Sequence, residues 1–141
     1  MIGILLITHN GLGDSLVDCV RHVMGSVPPK LRVLSVVGDD DPQERESAGR
    51  ELLAELDTGE GVLILSDLFG ATPCNIGMRL SQPGRVVTVS GVNLPMLLRV
   101  ISYSNKSLHD VSNKAVEGGR DCIILADSEK GSDAKPRCAD Y

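Results

Sequence analysis

Short apolar segments alternate with helical patterns along most of this chain. The segments are rich in Val, Ile and Leu, have the length of strands, and are flanked by Gly, Asp or Pro, which predicts β-strands. They comprise residues 2–7, 31–37, 61–66, 85–90 and 122–126. Because several of them are almost continuously hydrophobic, we expect a mostly parallel sheet that is covered by helices on both faces.

Helix start and stop signals fall between these segments. Ser, Thr, Asp and Asn are favoured as helix N-caps, Pro is tolerated in the first turn, and Gly often follows the last turn. The predicted helix starts are Asp14 or Ser15, Asp41, Thr72, Asn93 and Ser107. We expect the first helix to end at Gly25 and the fifth at Gly118. The order β-α-β-α-β-α-β-α-α-β predicts a doubly wound α/β fold with right-handed crossovers.

The length of 141 residues suits one domain with its own core. We place this domain at residues 1–126 and expect the polar, patternless residues 127–141 to form a disordered tail. The N-terminus lacks a basic segment followed by a long apolar run, and no segment reaches the ~20 apolar residues that span a bilayer. We therefore expect a cytoplasmic protein that is not inserted directly into a membrane.

The charge balance excludes one broad class of partner. Fourteen Lys and Arg residues stand against nineteen Asp and Glu residues, for a formal net charge of -5. One Phe, two Tyr and no Trp leave few rings on which bases could stack. Nucleic acid is therefore not an expected partner.

The cysteines indicate neither a metal site nor a disulfide framework. Cys19, Cys74, Cys122 and Cys138 are widely spaced, with no C-x-x-C pair and no Cys/His pair at ligand spacing. Cys19 and Cys122 lie in apolar patterns and are expected to be core residues, while the place of Cys74 stays open. We predict no metal ion and no cofactor.

Two loops carry the candidate chemistry. In open parallel sheets, ligands collect beyond the carboxyl ends of the strands, where the strand order reverses. The loop THNGLG follows the first strand with His9, and the loop SDLFGATPCN follows the third with Asp67. A carboxylate bonded to one ring nitrogen sets the tautomer of a histidine and leaves the other nitrogen free as a nucleophile. We expect His9 and Asp67 to form such a pair.

The second loop also has the features of an anion site. Gly70 and Ala71 allow close backbone approach, and Thr72 opens a helix whose N–H groups and dipole favour a phosphoryl group. Nucleophile, orienting carboxylate and anion cradle together suit phosphoryl transfer, in which positioning and charge stabilisation supply most of the catalysis. The alternatives are an ordinary loop histidine, a turn role for Asp67, and a magnesium pocket at the acidic residues 39–41.

The sequence resembles the enzyme IIA domain of the mannose (mannose-fructose-sorbose) family of the bacterial phosphoenolpyruvate:sugar phosphotransferase system. Three segments carry the resemblance, which covers residues 1 to about 126: IGILLITHNGLGDSL, GVLILSDLFGATPCN and VSGVNLPMLLRVI. It implies that His9 accepts a phosphoryl group from the histidine-containing phosphocarrier protein and passes it to a IIB component, whose acceptor in this family is a histidine. It also implies that Asp67 bonds the non-attacking ring nitrogen, and that Gly70, Ala71 and Thr72 surround the phosphoryl group.

The resemblance carries two further implications. Phe69 would contribute to partner docking, and the protein would be a homodimer in which residues 122–126 pair antiparallel with the sheet of the other subunit.

The sequence departs from the family pattern in two ways, and the second leaves the physiological role open. Asn10 stands where members commonly have Gly after the histidine, and no Ala/Pro-rich linker and IIB domain follow, so we expect a stand-alone IIA component. The alternatives to sugar uptake are a regulatory module that binds proteins according to its phosphorylation state, and the phosphotransfer subunit of dihydroxyacetone kinase. The sequence does not identify a sugar.

Overall fold

The structure is a computed structural model that describes residues 1–127 and Cys138. Its strands are β1 (Gly3–His9), β2 (Leu31–Val36), β3 (Val62–Ser66) and β4 (Val86–Ser90). Its helices are α1 (Leu12–Met24), α2 (Pro42–Leu56), α3 (Thr72–Leu80), α4 (Leu94–Ser102) and α5 (Leu108–Asp121). The predicted order of elements is confirmed up to α5.

The four strands form one parallel sheet in the order β2-β1-β3-β4. In β1, Ile7 lies opposite Leu34 of β2 on one side and Ser66 of β3 on the other. From β1 the chain first adds β2 on one side and then crosses back to add β3 and β4 on the other side. The strand order therefore reverses between β1 and β3. This reversal opens a crevice at the carboxyl ends of these two strands.

Alternate residues of the strands enter two separate cores, because successive side chains point to opposite faces of a sheet. Ile4 and Leu6 pack with α1, α4 and α5, whereas Leu5 and Ile7 pack with α2 and α3. All four side chains are fully buried, and burial of a Leu or Ile side chain contributes about 1.5–3 kcal/mol. The prediction of a doubly wound parallel sheet with helices on both faces is confirmed.

The predicted fifth strand at residues 122–126 is wrong for the single chain. Cys122 flanks the end of α5, and Ile123, Ile124 and Leu125 lie in irregular backbone with exposed fractions of 76, 43 and 84%. The β-branched pattern favours a strand, but a strand needs a neighbouring edge to pair with, and this segment pairs with none of the described strands.

Helix α5 also continues past the predicted stop at Gly118. Gly118 and Gly119 are packing residues and not a C-cap, because a Cβ at Gly118 would lie 2.8 Å from the Arg99 side chain and one at Gly119 would lie 2.7 Å from Met96. The absence of side chains at these positions allows α5 to approach α4 closely and to extend to Asp121.

The cysteine predictions need correction. Cys122 is bonded to Cys138, with Cα atoms 5.5 Å apart, so the expectation of no disulfide is wrong. The position of Cys122 depends on α5 continuing to Asp121. The spacing of the two cysteines in the sequence does not show where this helix ends. Cys19 is exposed on α1 instead of in the core, and Cys74 is buried. The disordered tail predicted at 127–141 lies outside the described residues, apart from Asp127 and Cys138.

Asp57 closes the loop between α2 and β3. Its carboxylate accepts hydrogen bonds from the N–H groups of Gly59 and Gly61, at 2.9 and 3.1 Å, and from Arg85. The hydrogen bond from Gly59 lowers the pKa of Asp57 the most. Together with the bonds from Arg85 and Gly61, it outweighs the effect of burial and holds this pKa below its usual range.

We expect Asp57→Ala to lower the free energy of unfolding by about 1–3 kcal/mol at neutral pH, because three hydrogen bonds to a charged acceptor are lost. A carboxylate whose pKa is depressed by folding stabilises the protein above its unfolded pKa of about 4, and this stabilisation is lost as the pH falls through the folded pKa. Urea unfolding at pH 7 and in stepwise more acidic buffers measures both effects. Glu55→Ala, which removes an exposed partner 3.9 Å from Arg32, is the control. A difference between wild type and Asp57→Ala that does not shrink on acidification would contradict this assignment.

Candidate functional site

His9 and Asp67 meet at the carboxyl ends of β1 and β3. The ring Nδ1 of His9 lies 2.8 Å from Asp67 Oδ2, and the His9 backbone N–H donates to the same oxygen at 3.1 Å. The His9 side chain is 44% exposed, whereas that of Asp67 is 12% exposed. The structure therefore brings together the two residues that the sequence predicts as a pair, and leaves the ring open to solvent.

The environment of Asp67 keeps it ionised. Burial alone would raise the pKa of this carboxyl, but the hydrogen bonds from the His9 ring and the His9 backbone N–H outweigh burial and hold the pKa below its usual range. An ionised carboxylate only accepts hydrogen bonds, so the Nδ1 atom that bonds it carries the proton. In the neutral form of the ring, the lone pair is then on Nε2.

The loop after Asp67 leads directly into α3. Leu68 and Phe69 are exposed, and Gly70 adopts a left-handed conformation with φ of 86° that favours glycine. Ala71 is the N-cap, without a side-chain hydrogen bond to the helix, and Thr72 is the first helical residue. The prediction of Thr72 as the N-cap is therefore wrong by one residue. Since no side chain caps α3, its opening N–H groups are available to an anion.

Two residues near His9 were not predicted as site residues from the sequence. The hydroxyl of the fully buried Thr8 accepts a hydrogen bond from the Gly13 N–H at 2.8 Å. Asn10 has a φ of 49°, a left-handed conformation that Asn adopts more readily than most residues. Asn can thus occupy a position at which the related family commonly has Gly. The only signal for Thr8 was a single hydroxyl at the end of an apolar strand.

The predicted start of α1 at Asp14 or Ser15 is also wrong. The helix begins at Leu12, with Gly11 in the N-cap position and no side-chain cap of its own. The Thr8 hydroxyl, which comes from β1, satisfies an N–H group of the first turn. A contact with another element thus moves the helix start ahead of its local capping signals.

Two of the acidic residues 39–41 have structural partners. Asp40 accepts from the Val37 N–H at 2.8 Å, and Asp41 caps α2 by accepting from the Gln43 N–H at 3.0 Å. Across residues 1–127 and Cys138, no three His, Cys, Asp or Glu side chains are placed to hold a metal ion. None of the helices in this part of the chain is long and apolar enough to cross a bilayer.

A groove of about 360 Å³ lies beside the site, at the edge strand β4. Side chains from α3, β4, α5 and the loop after β3 form its walls. They are Phe69, Cys74, Met78, Thr88, Val89, Ser90 and Val116. The groove runs along a strand that has a neighbour on only one side in the described sheet.

The fold and this crevice define a doubly wound α/β protein with a histidine–carboxylate pair at its switch point. The sequence model of the family described as "PTS system fructose IIA component" matches residues 3–116. The chain therefore belongs to this family, the mannose-type IIA components of the sugar phosphotransferase system, as the resemblance implied.

Two known proteins are similar to this chain over almost its whole length. The chain is 28% identical over 138 residues to the "PTS system mannose-specific EIIAB component" of Escherichia coli K12, covering 96% of this chain and 42% of that protein. It is 24% identical over 140 residues to "Transcriptional regulatory protein LevR" of Bacillus subtilis, covering 96% of this chain and 14% of that protein.

The fold is shared with the "Mannose/sorbose specific IIA subunit" of Enterococcus faecalis, at a TM-score of 0.79 and 20% identity, over 89% of this chain and 95% of that one. The chain thus spans less than half the length of both protein relatives, and its likeness to the solved structure concerns the fold.

Proposed function

We propose that this chain is a phosphoryl carrier of sugar uptake, and that His9 takes the phosphoryl group from the histidine-containing phosphocarrier protein and passes it to a histidine of a IIB component. The observation that carries the proposal is the 2.8 Å contact between His9 Nδ1 and Asp67 Oδ2 on a ring whose side chain is 44% exposed. Residues 1–126 form the phosphotransfer domain, which works in the cytoplasm without direct membrane insertion. Membership of the IIA family supports this role, because IIA components are phosphotransferases.

The transfer step follows from the positions of the protons. The Nε2 lone pair of His9 attacks phosphorus, while the bond to the donor imidazole breaks and its electron pair stays on the donor nitrogen. The proton on Nδ1 remains in place, and the ionised Asp67 stabilises the positive charge that develops on the ring. Backbone N–H groups at Gly70, Ala71 and Thr72 donate hydrogen bonds to the phosphoryl oxygens at the start of α3. Exposed Phe69 contributes to the surface on which donor and acceptor dock.

Reconstituted phosphorylation tests this function. The protein is incubated with phosphoenolpyruvate, enzyme I and the phosphocarrier protein, and the product is examined by intact mass and by stability to acid and base. We expect one phosphoryl group per chain, labile in acid and stable in base, and its transfer to a IIB component. A chain that stays unlabelled while a known IIA protein is labelled in the same mixture would contradict the proposal.

A regulatory role is the second candidate. The likeness to the regulatory protein LevR over 96% of this chain favours it, because a IIA-like unit then occurs within a protein named as a regulator. Neighbouring genes for IIB, IIC and IID components distinguish the roles. Their presence favours sugar uptake, and their absence next to a regulated operon favours regulation. The chemistry at His9 is the same in both.

We also propose a homodimer in which residues 122–126 pair antiparallel with β4 of a second copy. The exposed Ile123 and Leu125 would lie on the same face of an extended strand. The groove at β4 offers apolar walls, with exposed Met78 and Val116. An unpaired strand edge beside exposed apolar side chains is a site at which another chain can pair.

We expect Leu125→Asp to convert the dimer into a monomer, because the charge would be buried against β4 of the other copy. Sedimentation velocity on wild type and variant measures the change. Val37→Asp, at another exposed apolar position, is the matched control and should stay dimeric. A monomeric wild type, or a Leu125→Asp protein that dimerises as wild type does, would refute the exchanged strand.

A further inference from the structure

Thr8 connects the end of β1 to the start of α1. It directly precedes His9, its side chain is fully buried, and its hydroxyl accepts the Gly13 N–H at 2.8 Å. Gly13 lies in the first turn of α1, a helix that has no side-chain cap of its own at Gly11. The Thr8 hydroxyl, which belongs to the strand, therefore accepts a first-turn N–H group as an N-cap side chain would.

The close approach depends on the absence of a side chain at Gly13. A Cβ at this position would lie 2.8 Å from the Thr8 hydroxyl oxygen and 2.7 Å from a methyl group of Val33. Helix and strand thus approach each other closely at the hydroxyl, with no room for a side chain at position 13. The position of the helix start relative to β1 is fixed at this contact.

Only Asn10 and Gly11 lie between His9 and α1. Asn10 has a left-handed φ of 49°, and its N–H donates to the Val36 carbonyl at 3.0 Å. The His9 N–H donates to Asp67. The backbone on both sides of His9 is therefore held, on one side by strand pairing and on the other by the turn that Thr8 and Gly13 anchor.

We propose that Thr8 is a positioning residue for phosphoryl transfer at His9. Its hydroxyl fixes the turn, and the turn holds the imidazole with Nδ1 on Asp67 and Nε2 toward the incoming phosphorus. Without the hydroxyl, the Gly13 N–H loses a buried acceptor, and the turn relaxes to recover a partner. A displacement of about 1 Å at a reacting atom can cost about 10²-fold in rate. This inference rests on the proposed function for its kinetic consequence, but not for the geometry.

Thr8→Ser and Thr8→Ala form a matched pair, because both lack the threonine methyl group and they differ only in the hydroxyl. We expect Thr8→Ala to reduce the maximal rate of His9 phosphorylation about tenfold or more, with the KM for the phosphocarrier protein unchanged, and Thr8→Ser to restore most of the rate. Ser104→Ala removes another buried hydroxyl, which bonds the Ile101 carbonyl at 2.8 Å, and should leave the rate unchanged.

A second measurement does not depend on phosphorylation. In ¹⁵N spectra of the unphosphorylated protein, His9 in wild type and Thr8→Ser should show a single neutral tautomer protonated at Nδ1, and Thr8→Ala a mixture of tautomers. If wild type accepts no phosphoryl group, the proposed function fails, and the spectra still decide the role of Thr8. Equal rates and equal His9 spectra in the serine and alanine variants would overturn the inference. A Thr8→Ala protein that is only less stable, with native spectra when folded, would overturn it as well.

Discussion

Replacement of His9 by glutamine should abolish phosphoryl acceptance while leaving the fold intact. Glutamine retains an N–H group that can donate to Asp67, but it offers no ring nitrogen with a free lone pair, so no covalent bond to phosphorus can form. The expected loss is complete, because the group that is removed is the acceptor itself. Intact mass after incubation with phosphoenolpyruvate, enzyme I and the phosphocarrier protein measures labelling, and circular dichroism checks the fold.

The other histidines of the chain serve as matched controls. The sequence has three histidines. His22 lies exposed near the end of α1, and the exposed His109 contacts Asn113 at 3.3 Å on α5. Neither has a carboxylate on its ring in the described hydrogen bonds, so His22→Gln and His109→Gln should be labelled as wild type is. Labelling that persists in His9→Gln and disappears in one of these variants would move the acceptor to that residue.

The parts of the fold that the sequence predicted correctly are those set by local chemistry. Asp41, Asn93 and Ser107 each accept a backbone N–H of the helix that follows, as their residue types and positions indicated. The pairing of His9 with Asp67 was also predictable, because two polar residues that end adjacent parallel strands must meet at one edge.

The parts that the sequence did not predict depend on contacts between distant segments. Nothing local to Leu12 indicates that a hydroxyl in β1 will cap its helix, and the glycines of α5 look like a stop signal until α4 packs against them. The segment 122–126 has the composition of a strand, but composition does not say whether the partner edge belongs to the same chain. The bond between Cys122 and Cys138 depends in the same way on where α5 ends.

Asp67→Ala should retain the fold and slow phosphoryl transfer by about 10² or more, the scale expected when a histidine loses its orienting carboxylate. Two effects add in the same direction. The ring loses the acceptor that holds the proton on Nδ1, so part of the population carries the proton on Nε2 and has no lone pair facing the donor. The positive charge that develops on the ring during attack also loses its counter-ion. Single-turnover labelling by quenched flow measures the rate of the chemical step.

Asp67→Asn separates these two effects. The amide keeps an oxygen that can accept from Nδ1–H but carries no charge, so a rate between those of wild type and Asp67→Ala would assign part of the loss to charge and part to orientation. Asp40→Asn is the control, since Asp40 lies in the adjacent loop at the same edge of the sheet but accepts its hydrogen bond from the Val37 N–H and not from His9. Because hydrogen bonds from His9 hold the pKa of Asp67 below its usual range, the wild-type carboxylate stays charged throughout the neutral range, and its own protonation contributes no change of rate there. A transfer rate in Asp67→Ala equal to that of wild type would remove the carboxylate from the mechanism, and the 2.8 Å contact would then serve the fold alone.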